Sequence, residues 1–248
     1  MSHINKIIGG FKHPAIMASV VRRFILVGGI HGDPECMNAV RSWSRGKLPH
    51  VMLRDLFPGI ESCGPIVIQK PEGRVIGFSL DLPELVNVLS VAKFRNARAI
   101  LEIGTFDGFT ALNLAANMDR EGKVHTVDLP KTTQRVSSDN PYAPYVVGSK
   151  FKGEPEAAKI EQHWADSTRV EWRSFGGPFE MILIDGSHEY PDVKSDSANA
   201  FKHLRPAGTI FWHDYGHYWG VSEALDELAR DHSIAVIKGT RLACFRGN

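Results

Sequence analysis

The sequence predicts an α/β fold in which a doubly wound, mostly parallel sheet carries helices on both faces. Three observations support this prediction. Strand-like apolar runs alternate with helical patterns from about residue 80 onward. Two runs, 182–184 and 210–212, are continuously apolar, as expected for strands buried on both faces. A turn with two glycines follows the first strand, in the stretch 101–112, LEIGTFDGFTAL.

The first half of the predicted sheet follows a clear order. A helix over LPELVNVLSVAKF begins after Asp81, a plausible N-cap. The strand ARAILEI, the helix GFTALNLAANM and the strand KVHTVDL come next. Between Pro130 and Pro155 lies a polar stretch that is too long for an ordinary connection, and we predict a lid there.

The second half continues the alternation. It comprises a strand in FEMILIDG, a helix over 191–204, a strand in GTIFWHD and a helix whose buried face includes Val221 and Leu225. IAVIK and TRLACF are spaced as a terminal hairpin across Gly239, which is predicted to add an antiparallel edge to the sheet. We therefore divide the chain into an N-terminal accessory region of unknown fold, 1–79, and a sheet domain, 80–248.

Composition limits the class of partner. The chain has 248 residues with 29 basic and 28 acidic side chains, so its net charge is nearly neutral. It lacks the strong field of a nonspecific nucleic-acid or membrane binder, and we expect a small-molecule partner, no nucleic acid and no membrane. The basic cluster of Arg41, Arg45, Lys47 and Arg54 is interpreted as a solvated surface.

Cellular location is inferred from the cysteines and the N-terminus. Cys36, Cys63 and Cys244 show no C-x-x-C spacing, which favours neither a disulfide framework nor a thiolate metal site and fits the cytoplasm. Arg22 and Arg23 interrupt the apolar N-terminal stretches, so we predict no spanning helix and no secretion signal. A homodimer or higher homo-oligomer is left open.

The turn at 104–108, GTFDG, is predicted to meet a ligand at the carboxyl end of its strand. It lacks the G-x-G-x-x-G spacing of a dinucleotide site, and Glu102 and Asp107 would repel two phosphates. A ligand with an ammonium and a sulfonium group tolerates these acids, and S-adenosylmethionine is such a ligand. Asp128 stands where an acid accepts hydrogen bonds from ribose hydroxyls, although NAD would use the same acid.

Five segments resemble class I S-adenosylmethionine-dependent methyltransferases in order and spacing. They are LEIGTFDGFTAL, VDLP, ADS at 165–167, FEMILIDGSHEYPDVKSD and GTIFWHDYG. The sequence is most similar to bacterial small-molecule methyltransferases with a F-I-D-G-x-H-x-Y segment, and the resemblance covers about residues 80–248. It implies a Rossmann-like, seven-stranded sheet with an antiparallel C-terminal hairpin.

The resemblance also implies a cofactor site. Glu102, Gly104, Thr105, Phe106 and Gly108 would surround the methionine part of the cofactor. Asp128 would hold the ribose, and Leu129 would pack against the adenine. Asp166 and Ser167 would meet the adenine amino edge, and Asp185 is included in the cofactor set.

Chemistry is expected where Asp185 and the pair His213-Asp214 end two predicted central strands. Hard cations such as Mg²⁺ take carboxylate oxygens, and some relatives bind a metal at the matching positions, so Asp185, His213 and Asp214 are the candidate metal ligands. In several relatives the position of His213 is a second carboxylate, and imidazole suits transition metals better. Without a metal, His188 or His213 is the candidate general base, and Asp214 completes the catalytic set.

Several functions remain open from the sequence. The first is an O-methyltransferase acting on a small molecule such as a natural product or a sugar, with nitrogen also open as the acceptor. A natural-product hydroxylase or an NAD-dependent oxidoreductase on the same sheet is the second, and a noncatalytic cofactor-binding protein the third. RNA methylation is disfavoured by the neutral charge.

Overall fold

The computed structural model describes residues 46–73, 79–130 and 146–247. Most of the stretch predicted as a lid, Arg41, Arg45 and Cys36 lie outside these residues, and the described Cys63 and Cys244 are free thiols. No helix in the described part of the chain is both long enough and apolar enough to cross a membrane.

One mixed sheet organises the described residues. Its strands are β1 His50–Val51, β2 Ala99–Ile103, β3 Lys123–Asp128, β4 Ile160–Trp164, β5 Phe179–Ile184, β6 Leu204–Trp212, β7 Ile234–Ile237 and β8 Ala243–Arg246. The spatial order is β1-β7-β8-β6-β5-β2-β3-β4. All neighbouring pairs are parallel except those that involve β8, which is antiparallel to both β6 and β7.

The helices confirm the predicted alternation. They are α1 Leu53–Leu56, α2 Leu82–Phe94, α3 Phe109–Ala116, α4 Tyr190–His203 and α5 Trp219–Leu228. Asp81 is the N-cap of α2, and its N–H donates to Glu84 Oε2 at 2.9 Å, one half of a capping box. Helix α4 ends at His203, and β6 begins at the next residue.

Strand alternation divides the core between the two faces of the sheet. Ile100 and Leu183 belong to a cluster with α2 and α3, whereas Leu101 and Ile182 belong to a cluster with α4 and α5. The sheet is therefore covered on both sides, as the apolar runs predict.

The predicted antiparallel C-terminal hairpin is confirmed, because β8 lies between β6 and β7 and is antiparallel to both. One detail differs from the expectation. Seven strands come from residues 80–248, and an eighth, β1, pairs with β7 in parallel from the region predicted to be accessory. That two-residue strand is too short to leave a periodic signal in the sequence.

Candidate functional site

The glycine turn after β2 is held by both neighbouring strands. Gly104 donates its N–H to Val127 O at 2.8 Å, and Asp185 donates its N–H to Ile103 O at 2.8 Å. Gly104 has φ +100°, and a Cβ there would lie 2.1 Å from the carbonyl oxygen of Asp185. Glycine is required because the turn passes directly over the end of β5.

A cavity of about 680 Å³ opens beside this turn, at the carboxyl ends of the parallel strands. Most of the site residues predicted from the sequence line it. They are Gly104, Phe106, Asp128, Leu129, Asp166, Ser167, Asp185, His188 and Asp214. Four others do not: Glu102, Thr105, Gly108 and His213.

Glu102 and Thr105 lie beneath the turn. Thr126 donates its hydroxyl hydrogen bond to Glu102, and the hydroxyls of Thr105 and Thr126 are 2.7 Å apart. Burial raises the pKa of Glu102 to about 8, with the Thr126 hydrogen bond acting in the opposite sense. This geometry favours a supporting role for both side chains over direct contact with a ligand.

Gly108 lies against the described C-terminal part of the stretch predicted as a lid. A Cβ on Gly108 would lie 2.5 Å from Phe151 Cδ1. Backbone N–H groups of Gly148 and Lys150 donate to Phe106 O at 3.0 Å and to Asp107 O at 2.8 Å. Residues 148–151 are therefore packed directly on the glycine turn.

Asp128 lies at the end of β3 and faces the cavity. Its Oδ2 accepts the N–H of Phe106 at 2.9 Å, and its Oδ1 accepts the N–H of Leu129 at 2.8 Å. These contacts orient the Asp128 carboxylate at the end of β3. The predicted contact with a ribose stays a prediction.

Asp166 and Ser167 follow β4. Asp166 Oδ1 accepts from the N–H of Thr168 at 3.1 Å and from its hydroxyl at 2.6 Å, while Oδ2 lies 3.2 Å from Arg169 Nε. The Ser167 carbonyl accepts from Trp172 Nε1 at 2.8 Å. These bonds fix the turn at the far end of the cavity.

The cavity is strongly acidic. Among the described residues that line it, five are aspartates and one, Arg169, is basic. The aspartates are Asp128, Asp166, Asp185, Asp192 and Asp214. Such a wall opposes a pyrophosphate and suits a ligand with positive charge and hydroxyl donors. The residues present therefore fit S-adenosylmethionine better than a dinucleotide.

His213 lies behind the cavity wall between two carboxylates. Its Nδ1 is 3.0 Å from Asp185 Oδ1 and its Nε2 is 2.9 Å from Glu84 Oε2, with the side chain 3% exposed. Burial alone would lower the pKa of His213, but Asp185, Glu84 and Asp214 outweigh burial and raise it to about 10. Both ring nitrogens face carboxylate oxygens behind the cavity wall, which favours a positioning role for His213; its roles as general base and metal ligand stay predictions.

Asp214 contacts His213 and Arg241 on one side and lines the cavity on the other. Arg241 Nη1 donates to Asp214 Oδ1 at 2.6 Å, and His188 Nε2 lies 3.1 Å from Asp214 Oδ2. Burial would raise the pKa of Asp214, yet His188, His213 and Arg241 lower it to about 2. Its φ of +62° is unusual for a residue other than glycine and marks backbone strain at this point.

His188 is the histidine that faces the cavity. It is half-buried, and its ring stacks on Tyr218 with centroids 4.0 Å apart and an interplanar angle of 8°. Side-chain ligand atoms of Asp185, His188 and Asp214 all lie within 4.8 Å of one another. In the structure His188 therefore lies with Asp185 and Asp214, whereas the sequence prediction grouped His213 with these two aspartates.

Sequence reasoning missed Glu84 and Arg241. Glu84 accepts the Arg241 N–H at 2.9 Å and lies 3.3 Å from its Nε, although 157 positions separate them. Glu84 is the third residue of α2, after the N-cap Asp81, and in the sequence this position indicates only a capping box. Nothing local to Arg241 indicates its partner.

One family model and several solved structures match this chain. Residues 101–215, just under half of the chain, match the model of a family described as a methyltransferase domain. No curated protein matches the sequence significantly.

Solved structures share the fold. The O-methyltransferase TomG from Streptomyces achromogenes, crystallised with S-adenosylmethionine, is 21% identical with a TM-score of 0.53, over 71% of this chain and 85% of that chain. An O-methyltransferase from Bacillus cereus, in complex with S-adenosylhomocysteine, is 15% identical with a TM-score of 0.52, over 79% and 90%. Residues 101–215 therefore match a methyltransferase domain in sequence, and the chain shares the fold of these two structures.

Proposed function

We propose that the chain is an S-adenosylmethionine-dependent methyltransferase that transfers a methyl group to a hydroxyl of a small molecule. The observation that carries the proposal is the placement of a cavity-facing histidine, His188, against the ionised Asp214 in an acidic cleft beside the glycine turn. The O-methyltransferases among the structural neighbours support oxygen as the acceptor.

The cofactor is proposed to lie along the cavity with its sulfonium near Asp185. Asp128, Leu129 and Asp166-Ser167 would take the ribose and adenine, and Gly104 and Phe106 would take the methionine part. Support comes from the acidic lining, since a sulfonium and an ammonium are stabilised by nearby carboxylates.

The proposed reaction is an in-line displacement. The substrate oxygen attacks the methyl carbon, the carbon–sulfur bond breaks and its electron pair returns to sulfur, which leaves S-adenosylhomocysteine. With Nε2 facing Asp214 at 3.1 Å, Nδ1 of His188 is the nitrogen left to take the hydroxyl proton. Asp214 stabilises the resulting imidazolium, and the cavity supplies alignment.

A divalent metal, in place of the histidine base, is the alternative form of the proposal. Asp185, His188 and Asp214 would hold it, and it would bind and acidify a substrate hydroxyl. His213 engages Asp185 Oδ1 and Arg241 engages Asp214 Oδ1, while Asp214 Oδ2 faces His188 Nε2 at 3.1 Å, so an ion would compete with this last contact. Loss of turnover when a chelator removes the metal, and its recovery when Mg²⁺ is added, would support a role for the metal.

The test is methyl transfer from labelled cofactor to a panel of hydroxyl compounds by wild type and His188→Gln. We expect kcat to fall by about 10²–10⁴ in the variant, because a general base contributes that much, with unchanged affinity for S-adenosylhomocysteine. His232→Gln is the matched control, since His232 stacks on Phe201 at 3.8 Å and does not line the cavity. Equal kcat in His188→Gln and wild type would overturn the assigned base.

A further inference from the structure

A second group of ligating side chains lies outside the cofactor cavity. His125 is on β3, and Glu161 and His163 are on the neighbouring strand β4. The parallel register pairs His125 with Glu161, and His163 follows two residues later on the same face. None of the three lines the cavity.

The ligand atoms of this group converge. His125 Nδ1 and His163 Nε2 are 3.2 Å apart. Glu161 Oε2 lies 3.7 Å from the first nitrogen, and its Oε1 lies 3.8 Å from the second. A tetrahedral ion with bonds of about 2.0–2.1 Å separates its ligand atoms by about 3.3 Å. The two nitrogens match this spacing, and the exposed Glu161 needs only a small movement.

Packing holds both imidazoles in place. The His125 ring contacts Phe179 edge-on at 5.7 Å, and the His163 ring contacts Phe175 at 5.1 Å. The histidine side chains are 14% and 16% exposed, whereas Glu161 is 58% exposed. The nitrogens are thus preorganised in a shallow, solvent-accessible site.

The types of the three side chains are suitable for ligation of a metal. Neutral imidazole is the form that binds metal, and the carboxylate supplies a negative charge. Two imidazoles and one carboxylate suit a borderline transition metal more than Mg²⁺, which prefers oxygen ligands throughout.

We propose that His125, Glu161 and His163 form a binding site for one divalent transition metal, with Zn²⁺ as the best fit. A bound ion would bridge β3 to β4. Strand β4 leads directly into Ala165 and Asp166, which line the cavity, so the ion would also fix the adenine end of that cavity. The site does not depend on the proposed methyl transfer.

The test is calorimetric titration of the tag-free full chain with Zn²⁺, compared with Mg²⁺. We expect one Zn²⁺ equivalent at His125, Glu161 and His163, separate from any ion held by Asp185, His188 and Asp214, and its binding should weaken by at least about tenfold in both Glu161→Gln and His163→Gln. Glu161→Gln keeps the test valid if His163→Gln fails to fold, because Glu161 is exposed. His188→Gln is the matched control and should retain this site, because it alters only the group beside the cavity.

A second readout identifies the ligands. Co²⁺ bound to wild type should give the intense visible absorption of tetrahedral coordination, and Glu161→Gln should lose it. No saturable Zn²⁺ binding, or equal binding in wild type and both variants, would overturn the proposal and leave a simple hydrogen-bonded histidine pair. Loss of Zn²⁺ binding only in His188→Gln would assign the ion to the group beside the cavity and would also contradict the proposal.

Discussion

At the scale of single residues, His213 sets the charge distribution behind the cavity. It is held as an imidazolium between Asp185 and Glu84, and Arg241 adds a second buried cation against Asp214. Two positive side chains therefore lie among three carboxylates, which keeps those carboxylates ionised and in fixed orientations. His188, which lines the cavity, is the histidine that we propose as general base.

The raised pKa of His213 predicts a pH dependence of stability. The value rises from 6.5 to about 10 on folding, so its stabilising contribution is complete below pH 6.5 and is lost as pH rises through about 10. We expect His213→Gln to lower the free energy of unfolding by about 3–5 kcal/mol at pH 6, because it leaves buried carboxylates unpaired.

Urea unfolding of both proteins between pH 6 and 10 measures this effect. Titrating groups that do not contact His213 are common to the two proteins, so their contributions cancel in the difference. The difference in stability should shrink steadily with rising pH. A constant difference across that range would show that His213 is not protonated in the native state.

At the scale of elements, the turn between β2 and α3 depends on close backbone contact. Gly104 and Gly239 both have positive φ, at +100° and +84°, but a Cβ on Gly104 would meet Asp185 O at 2.1 Å, whereas one on Gly239 would meet nothing within 4 Å. Gly239→Ala should therefore cost only the backbone strain, about 1–2 kcal/mol. Gly104→Ala should cost at least about 2 kcal/mol more and abolish cofactor binding.

Thermal unfolding and S-adenosylhomocysteine titration of the two alanine variants test this comparison. A similar loss of stability in both variants would mean that the turn can move away from β5. If Gly104→Ala kept its affinity for S-adenosylhomocysteine, the turn would not be part of the cofactor site.

At the scale of the whole molecule, the proposed boundary at residue 80 cuts through packed structure. Leu48, Phe57 and Ile60 are buried in the two core clusters. Leu48 donates its N–H to Tyr215 Oη at 2.8 Å, and Val236 N donates to Pro49 O at 2.8 Å. The division into two regions stays a prediction, but these contacts argue that the sheet domain needs residues before 80.

Truncation tests that division. A chain that starts at residue 80 should be less stable than the full chain and prone to associate, because it exposes apolar core surface and the edge of β7. Size-exclusion chromatography and thermal unfolding measure both properties. A truncated chain that is monomeric and as stable as the full chain would establish the boundary.

The sequence predicts local features well and long-range contacts poorly. Periodicity located α2 and β5, because their apolar faces are long and regular. Strand β4 was not predicted by itself, since IEQHW is a partly exposed edge strand with little alternation. The role of His213 could not be predicted, because it depends on Glu84, 129 positions away, and no local pattern reports that contact.

The most direct measurement of the central claim is calorimetric titration of the full chain with S-adenosylhomocysteine, with NADH as the control. The acidic lining and the glycine turn predict saturable binding of S-adenosylhomocysteine at one site, and no binding of NADH, whose pyrophosphate the five aspartates repel. Preferential binding of NADH, or no binding of S-adenosylhomocysteine, would contradict the methyltransferase account.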